Sequence, residues 1–224
     1  EAIHQGKHSF VEKPVCVDVA GYQSVLESSA KAKSKNLCVS VGFQRRHETA
    51  YQQAIQRIHQ GVLGKIESGE TVWRTSGTWY RDRKPEWSDL EWQLRNWTHF
   101  VWLSGDILVE QISSGIDVIN WALGSRPLKA SGIGGKKEAG APHHGDTQDY
   151  YALEYGYAGG ITVRLDVSRC KEEPYRVAET LKGALGDCEL TTASKKITGI
   201  GNWQFNGPRE NPYDRECINI IQSI

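Results

Sequence analysis

The sequence has no methionine, no net charge and no long apolar run, and the last two absences exclude whole classes of protein. Lysine and arginine together number 27, as do aspartate and glutamate, so the 224 residues carry a formal net charge of zero at pH 7. A neutral chain lacks the basic field that attracts nucleic acid or an acidic membrane surface. No apolar stretch reaches the roughly 18 residues that a membrane-spanning helix requires. We therefore expect neither nucleic acid nor a membrane among its partners.

Cysteine is sparse and irregularly spaced. The five cysteines stand at positions 16, 38, 170, 188 and 217, and no two of them form a CxxC pair. This pattern argues against a disulfide framework and against a structural zinc site, and it favours a reducing, cytoplasmic compartment. The neighbouring His143 and His144 would point apart on an extended loop, so we predict no metal.

The first 44 residues predict one strand-helix-strand unit. Residues 8–12 form the first short apolar strand, Asp18 is a suitable N-cap for the helix, and residues 37–43 read as a strand buried on both faces of a parallel sheet. One such unit cannot cover both faces of its own sheet. We therefore expect residues 1–44 to be the tail of a larger doubly wound domain, with an upstream segment before Glu1.

The pattern changes in residues 45–224, where helices precede a run of strands. A helix is predicted at 49–59, a strand at 65–75, an irregular segment at 76–103, and a final helix after Asn211-Pro212. This order predicts an α+β domain, an open and mainly antiparallel sheet covered by helices on one face. Its later strands are predicted at 128–133, 148–157, 161–169, 177–182, 188–192 and 197–200, with a hairpin at 158–160.

One continuous amphipathic helix is predicted at 105–124, ending at Gly124. In that register Glu110 and Ser114 lie one turn apart on the same face. A carboxylate and a hydroxyl so placed on a mostly apolar helix can line a pocket. The alternative is an ordinary core helix with one solvated stripe.

Two short polar segments follow the predicted parallel strands. Ligands of doubly wound folds bind at the carboxyl ends of their strands, where Glu12-Lys13-Pro14 and then Arg45-Arg46 stand. The proline restricts Lys13 to extended geometry and permits a cis peptide bond. The alternative for Lys13 is an exposed lysine before a proline in a turn. The alternative for Arg45 and Arg46 is a pair of solvated arginines at the start of a helix.

Three stretches together resemble the Gfo/Idh/MocA family of NAD(P)-dependent oxidoreductases. They are KHSFVEKP, VGFQRRHETAYQQAIQRIHQGVLGKI and GDILVEQISSGIDVINWALG, in that order. The resemblance implies an α/β Rossmann domain that binds NAD or NADP, followed by an α+β domain whose open sheet forms homo-oligomers. On it, Glu12, Lys13, Pro14 and Arg46 are expected to contact the cofactor.

The sequence departs from the family pattern at two places. It has no GxGxxG turn opening a helix, so most of the cofactor domain is expected to lie outside this chain. The family's helix carries an Asp and, four residues on, a His, and these positions are Glu110 and Ser114 here. Lys13 is retained, so the resemblance implies Lys13, Glu110 and Ser114 as the catalytic set. A serine without a partner base cannot replace a histidine in proton transfer.

Tryptophan is concentrated in one region, since six of the eight lie between positions 73 and 102, interleaved with charged residues. Flat rings beside hydrogen-bonding charges are typical of sites for pyranose rings. The alternative interpretations are that these tryptophans pack in the core, or that they bind single-stranded nucleic acid. The zero net charge of the chain argues against nucleic acid. The predicted contacts to a small sugar or polyol substrate are Arg45, Trp79, Arg95, Asn96 and His99.

The sequence thus predicts an oxidoreductase that transfers a hydride to or from a sugar or cyclic polyol. Two alternatives come from the same residues. One is a glycoside hydrolase that uses NAD in a redox-assisted cycle. The other is a binding or assembly protein that has lost catalysis, because Ser114 stands where the family has its histidine.

Overall fold

The computed structural model describes residues 1–137 and 145–224. Its first element is the predicted parallel unit, formed by β1 (Ser9–Glu12), α1 (Val19–Ser34) and β2 (Val39–Gly42). The two strands pair in parallel, with Glu12 opposite Gly42. Asp18 caps α1 as predicted, because its carboxylate accepts a hydrogen bond of 2.6 Å from the Gly21 N–H. The carboxyl ends of both strands therefore meet at one edge.

The remaining described residues form one large sheet with its helices. The elements are α2 (Thr49–His59), β3 (Ile66–Arg74), α3 (Asp89–Arg95), α4 (Val101–Ser104), α5 (Asp106–Glu110), α6 (Ser113–Leu123), β4 (Lys129–Gly135), β5 (Tyr150–Gly156), β6 (Thr162–Ser168), β7 (Arg176–Gly183), β8 (Gly186–Thr191), β9 (Lys195–Gly199), β10 (Trp203–Gln204) and α7 (Pro212–Gln222). The strand order of the sheet is β10-β9-β8-β7-β3-β6-β5-β4, in which β3 and β6 pair in parallel and the neighbouring pairs are otherwise antiparallel. This confirms the predicted open, mainly antiparallel sheet.

The core lies between this sheet and the helices α2 and α6, which cover one of its faces. Strand alternation separates the two faces, since Val163 and Leu165 of β6 are buried under the helices while Arg164 is exposed on the other side. That other face is polar and carries ion pairs such as Arg74 with Asp166. The arrangement confirms the prediction of helices on one face.

The predicted continuous helix at 105–124 is wrong. The chain enters α5 through Gly105 and Asp106, both at positive φ (70° and 74°), and α6 starts only after a break. At the break the Ile112 N–H reaches the Ile107 carbonyl, five residues back, at 3.4 Å. Such a local slip inserts a residue into the hydrogen-bond ladder. Glu110 and Ser114 therefore sit on either side of the break rather than one regular turn apart.

The predicted irregular segment 76–103 is also wrong in part, because α3, a 3₁₀ turn (Trp97–His99) and α4 lie within it. The Ser88 hydroxyl accepts a hydrogen bond of 3.1 Å from the Glu91 N–H and starts α3. A serine followed three residues later by a glutamate is a known helix-start signal. The dense tryptophans and charges of this stretch obscure its apolar period.

Other local predictions are confirmed. Gly159, at a φ of 75°, turns the chain between the antiparallel β5 and β6. Asn211 caps α7 by accepting a 3.1 Å hydrogen bond from the Tyr213 N–H, and Pro212 occupies the first helical position.

Among the helices of the described ranges, none has the length and apolar character needed to cross a membrane.

The contact of α6 with β3 yields a first prediction. A Cβ at Gly115 would lie 2.0 Å from Thr71 Oγ1, so Gly115→Ala should push α6 off the sheet and lower the free energy of unfolding by about 1–3 kcal/mol in urea. Thr71 is fully buried and its hydroxyl has no partner among the described residues. Adding Thr71→Ala should therefore restore stability to the Gly115→Ala variant.

The matched control is Gly156→Ala, whose Cβ would meet its nearest neighbour at an ordinary 3.6 Å. An unfolding midpoint of Gly115→Ala equal to that of this control would contradict the packing described for α6.

Candidate functional site

The structure brings Lys13 and Glu110 together from positions 97 residues apart. Lys13 stands directly after β1, and its peptide bond to Pro14 is cis. Its Nζ lies 2.8 Å from Glu110 Oε1 and also donates to the Glu110 backbone carbonyl. An ammonium group has three N–H donors, so one remains for a ligand. Both side chains are partly open to solvent, at 20% and 16% exposure.

Ser114, the third member of the predicted catalytic set, is buried. It lies in α6 beyond the break and is 4% exposed. No hydrogen bond found among the described residues joins its hydroxyl to Lys13 or to Glu110. Without a base in contact, a serine hydroxyl does not transfer protons near neutral pH. The catalytic role of Ser114 therefore stays a prediction.

Arg45 forms a buried ion pair with the large sheet. It lies in the 3₁₀ turn Gln44–His47, directly after β2, and its guanidinium donates to the carboxylate of Glu179 on β7. The Tyr51 hydroxyl donates to the same carboxylate at 3.0 Å. Burial raises the pKa of Glu179, and the nearby Arg45 opposes that rise. Burial is also the main cause that raises the pKa of Tyr51 well above its usual value.

A cleft of about 390 Å³ opens beside this ion pair. Two of its charges are paired, since Lys195 Nζ lies 2.5 Å from Glu48 Oε1 and also 4.8 Å from the centroid of the Tyr51 ring. Aromatic rings beside hydrogen-bonding groups suit a hydroxylated ligand. Most of the residues that line the cleft were not predicted, because they come from several distant elements. The lining includes the predicted Arg45 together with Glu48, Tyr51, Trp73, Tyr175 and Lys195.

Arg46 is turned towards α6. Its Nε and Nη2 donate to the two carboxylate oxygens of Asp117 at 2.7 and 2.8 Å, and its guanidinium carbon lies 5.1 Å from the centroid of the Trp121 ring. The structure therefore places this predicted cofactor contact in a forked ion pair. Glu12 and Pro14, by contrast, flank Lys13 at the carboxyl end of β1, and the Glu12 carboxylate lies across Gly42.

The predicted substrate contacts from the tryptophan-rich region differ in exposure. Trp79 is 46% exposed. Arg95 pairs with Glu91 at 2.9 Å on the surface of α3. Asn96 and His99 are buried, at 0% and 4% exposure, and both bind backbone groups of the segment that carries Trp79. Both side chains therefore hold that segment, and their contact with a substrate stays a prediction.

No group of three or more histidine, cysteine, aspartate or glutamate side chains within residues 1–137 and 145–224 has a geometry that could hold a metal ion. His143 and His144 lie outside the described residues.

The fold defines a class of protein, an open mixed sheet with helices on one face that follows a parallel strand-helix-strand unit. Residues 51–189, more than half of the chain, match the GFO/IDH/MocA C-terminal domain. The chain belongs to the GFO/IDH/MocA family, which confirms the resemblance seen in its sequence.

Individual relatives agree with this assignment. The scyllo-inositol 2-dehydrogenase (NAD(+)) of Bacillus subtilis is 26% identical over 179 residues, which cover 78% of this chain and 45% of that protein. An oxidoreductase domain protein from Kribbella flavida superposes with a TM-score of 0.79 at 16% identity, covering 99% of this chain and 65% of the other. The aldose-aldose oxidoreductase of Caulobacter crescentus has a TM-score of 0.73 at 17% identity, with 97% and 64% covered.

The chain thus spans about half the length of the curated relative and about two thirds of these solved structures. At such identities the structural likeness concerns the fold alone.

The buried ion pair yields a second prediction. Glu179→Gln leaves the Arg45 charge buried without a counter-charge, so we expect the free energy of unfolding to fall by about 3 kcal/mol. Glu91→Gln is the matched control, because its partner Arg95 is 42% exposed and the pair should contribute less than about 0.5 kcal/mol. Equal unfolding midpoints in urea for the two variants would contradict the structural role assigned to Arg45.

Proposed function

We propose that this chain belongs to an NAD(P)-dependent oxidoreductase that transfers a hydride to or from a sugar or cyclic polyol. The observation that carries the proposal is the Lys13–Glu110 pair, which is partly open at the carboxyl end of a parallel strand. The cleft beside Arg45, with its aromatic rings and hydrogen-bonding groups, supports a hydroxylated substrate. The inositol dehydrogenase among the relatives supports the same chemistry.

The proposal includes a division into two domains, with residues 1–44 as the remnant of a dinucleotide-binding domain and 45–224 as the substrate domain. Apolar side chains exposed on the parallel pair support it. Phe10, Val11 and Val39 are 44%, 41% and 39% exposed, whereas strands of doubly wound folds are buried on both faces. We expect further strands and helices of the same domain to cover them.

Few residues of this chain are left to contact the cofactor. The 224 residues contain no Gly-rich phosphate-binding turn, and Arg46 is held by Asp117. Glu12, Lys13 and Pro14 remain, at the edge where a doubly wound fold binds its nucleotide. NAD or NADP, when bound there, supplies the hydride acceptor or donor.

Lys13 and Glu110 then handle the proton. The third N–H of Lys13 binds the substrate hydroxyl, and the Glu110 carboxylate, 2.8 Å from Nζ, holds the ammonium in that direction. When the alcohol is oxidised, the Lys13 ammonium first passes a proton to Glu110 Oε1 and becomes a neutral amine. Rotation about the Cε–Nζ bond then turns the amine lone pair to the substrate hydroxyl, and Lys13 takes the hydroxyl proton, so that the pair gains one proton in total. This relay needs no side chain at position 114, so it is compatible with a serine there.

The main test is Lys13→Ala in the full-length protein, assayed with NAD+ and NADP+ on scyllo-inositol, myo-inositol and D-glucose. We expect kcat/KM to fall by about 100-fold or more, because both the hydrogen bond to the hydroxyl and the proton path are lost. The unfolding midpoint should stay close to that of the unmodified protein. Lys7→Ala, an exposed lysine just before β1, is the control and should change neither quantity.

An unchanged kcat/KM in Lys13→Ala would overturn the assignment. A second candidate function, a binding or assembly protein without catalysis, is favoured by the burial of Ser114, whose hydroxyl has no hydrogen bond to Lys13 or Glu110 among the described residues. It requires the unmodified protein to be inactive on every substrate, and new activity in Ser114→His would support it. Release of free sugar from a glycoside, without NADH accumulation, would instead support the redox-assisted hydrolase.

We also propose a homo-oligomer formed through the sheet face away from the helices, and a cytoplasmic location, in which the five free thiols remain reduced. Ile133 of β4 supports the first point, since it is a large apolar residue 66% exposed on that face.

Ile133→Asp should place a charge in the proposed interface and convert the oligomer to a monomer in light scattering after size exclusion. Ile200→Asp is the control, because Ile200 is 80% exposed beyond the end of β9. A monomeric unmodified protein, or an Ile133→Asp variant of unchanged mass, would contradict the proposed interface.

A further inference from the structure

The connection between β3 and α3, residues 75–88, contains neither helix nor strand. We call it the β3–α3 loop. A connection without regular structure keeps one conformation only where other groups satisfy its backbone N–H and C=O groups. Two buried side chains from outside the loop do this for its residues 79 and 81.

Asn96 binds both backbone groups of Arg81. It is fully buried at the end of α3, where its Oδ1 accepts from the Arg81 N–H at 2.8 Å and its Nδ2 donates to the Arg81 carbonyl at 3.1 Å. The same Nδ2 donates to the Trp92 carbonyl at 3.1 Å, which fixes the amide to its own helix. The amide thus satisfies the backbone N–H and C=O of Arg81, as the backbone of a neighbouring strand would.

His99 holds the loop two residues earlier. Its Nε2 donates to the Trp79 carbonyl at 2.9 Å, since a carbonyl can only accept. Its ring also meets the Tyr80 ring edge to face, with centroids 5.6 Å apart. Three successive residues are therefore held by two side chains that are themselves buried.

The group held in this way is an exposed aromatic ring beside a cation. Trp79 is 46% exposed, and the Arg81 guanidinium carbon lies 5.8 Å from the centroid of its ring. In the same region Arg95 covers Trp87 at 4.6 Å, and Trp92 packs edge to face on Phe100 at 5.1 Å. Trp79 is the most exposed of these three indoles, since Trp87 and Trp92 are half-buried.

We call Asn96 and His99 the anchor. The 3₁₀ turn Trp97–His99 packs against α5, whose last residue is Glu110. A displacement of the anchor would therefore reach both the loop, through Trp79 and Arg81, and the helix that ends at Glu110. An open indole with a guanidinium beside it binds the apolar face of a sugar ring and its hydroxyls.

We propose that Asn96 and His99 are positioning residues, which hold Trp79 and Arg81 as a preformed platform for the ring of a hydroxylated substrate. The inference rests on the proposed function and reassigns these two residues from substrate contact to support. The platform contributes to binding and not to proton transfer. Its loss should therefore raise KM and leave kcat nearly unchanged.

The first measurement tests the anchor without any substrate. Trypsin cleaves after Arg81 and Arg83, and local opening of the loop controls that cleavage. Asn96→Ala and His99→Leu in the full-length protein should be cut there about tenfold faster than the unmodified protein. His99→Gln keeps an N–H donor for the Trp79 carbonyl and should restore most of the protection. Gln93→Ala, which loses only a bond to the exposed Trp102, is the control.

The second measurement tests the platform, with scyllo-inositol, myo-inositol and D-glucose as probes. Trp79→Ala and Asn96→Ala should each raise KM about tenfold, with kcat within about twofold. If Asn96 acts through Trp79, the double variant should be little worse than either single one. If Asn96 had a merely structural role, the effect of Asn96→Ala on KM should instead add to that of Trp79→Ala.

The possible failures are distinguishable. Faster cleavage of Asn96→Ala with an unchanged KM would show an anchor that holds no substrate platform, and would overturn the inference. An unchanged KM in Trp79→Ala would also overturn the inference. If Lys13→Ala loses activity in that case, the proposed function still stands. A protein that neither binds nor converts any of the three probes would overturn the proposed function, and the platform with it.

Discussion

The buried ion pair between Arg45 and Glu179 joins the two parts of this structure. Arg45 follows the parallel pair and Glu179 lies in the middle of the large sheet, so their contact sets how the strand ends face that sheet. Two buried charges require each other, since either alone would be costly to bury. Next to it, Arg46 ties the same turn to α6 through Asp117. Lys13 follows the strand that pairs with β2, so the parallel pairing brings it to the same edge as this turn.

The proposed site combines buried supporting groups with accessible ones. Arg45, Asn96 and His99 are nearly inaccessible and bind other parts of the protein. Lys13 and Glu110 hold each other, and His99 binds the backbone of Trp79, while the side chains of Lys13, Glu110 and Trp79 remain partly open. Preorganised groups of this kind act without a reorganisation cost when a ligand arrives.

The sequence patterns predicted the main elements well, because strand alternation, caps and glycine turns act over a few residues. The Asp18 cap, the turn at Gly159 and the cap of α7 are examples. The break before α6 was not predictable in this way, since a slip of one residue at Ile112 leaves the apolar pattern nearly unchanged. For the proposed site, strand position selected Lys13, and the helix pattern with the family resemblance selected Glu110. Neither kind of signal showed that Arg46 pairs with Asp117, or that Asn96 and His99 bind the backbone of the β3–α3 loop.

By itself, the sequence determined which segments become strands and helices, and that a lysine stands where a parallel strand ends. It also determined the family, through motifs that are contiguous in the chain. The tertiary structure alone decided that Lys13 meets Glu110, that Arg46 meets Asp117, and that Asn96 binds the backbone of Arg81. These pairings depend on how separate elements pack together, and the local periodicity of a sequence carries no record of the partner that packing selects.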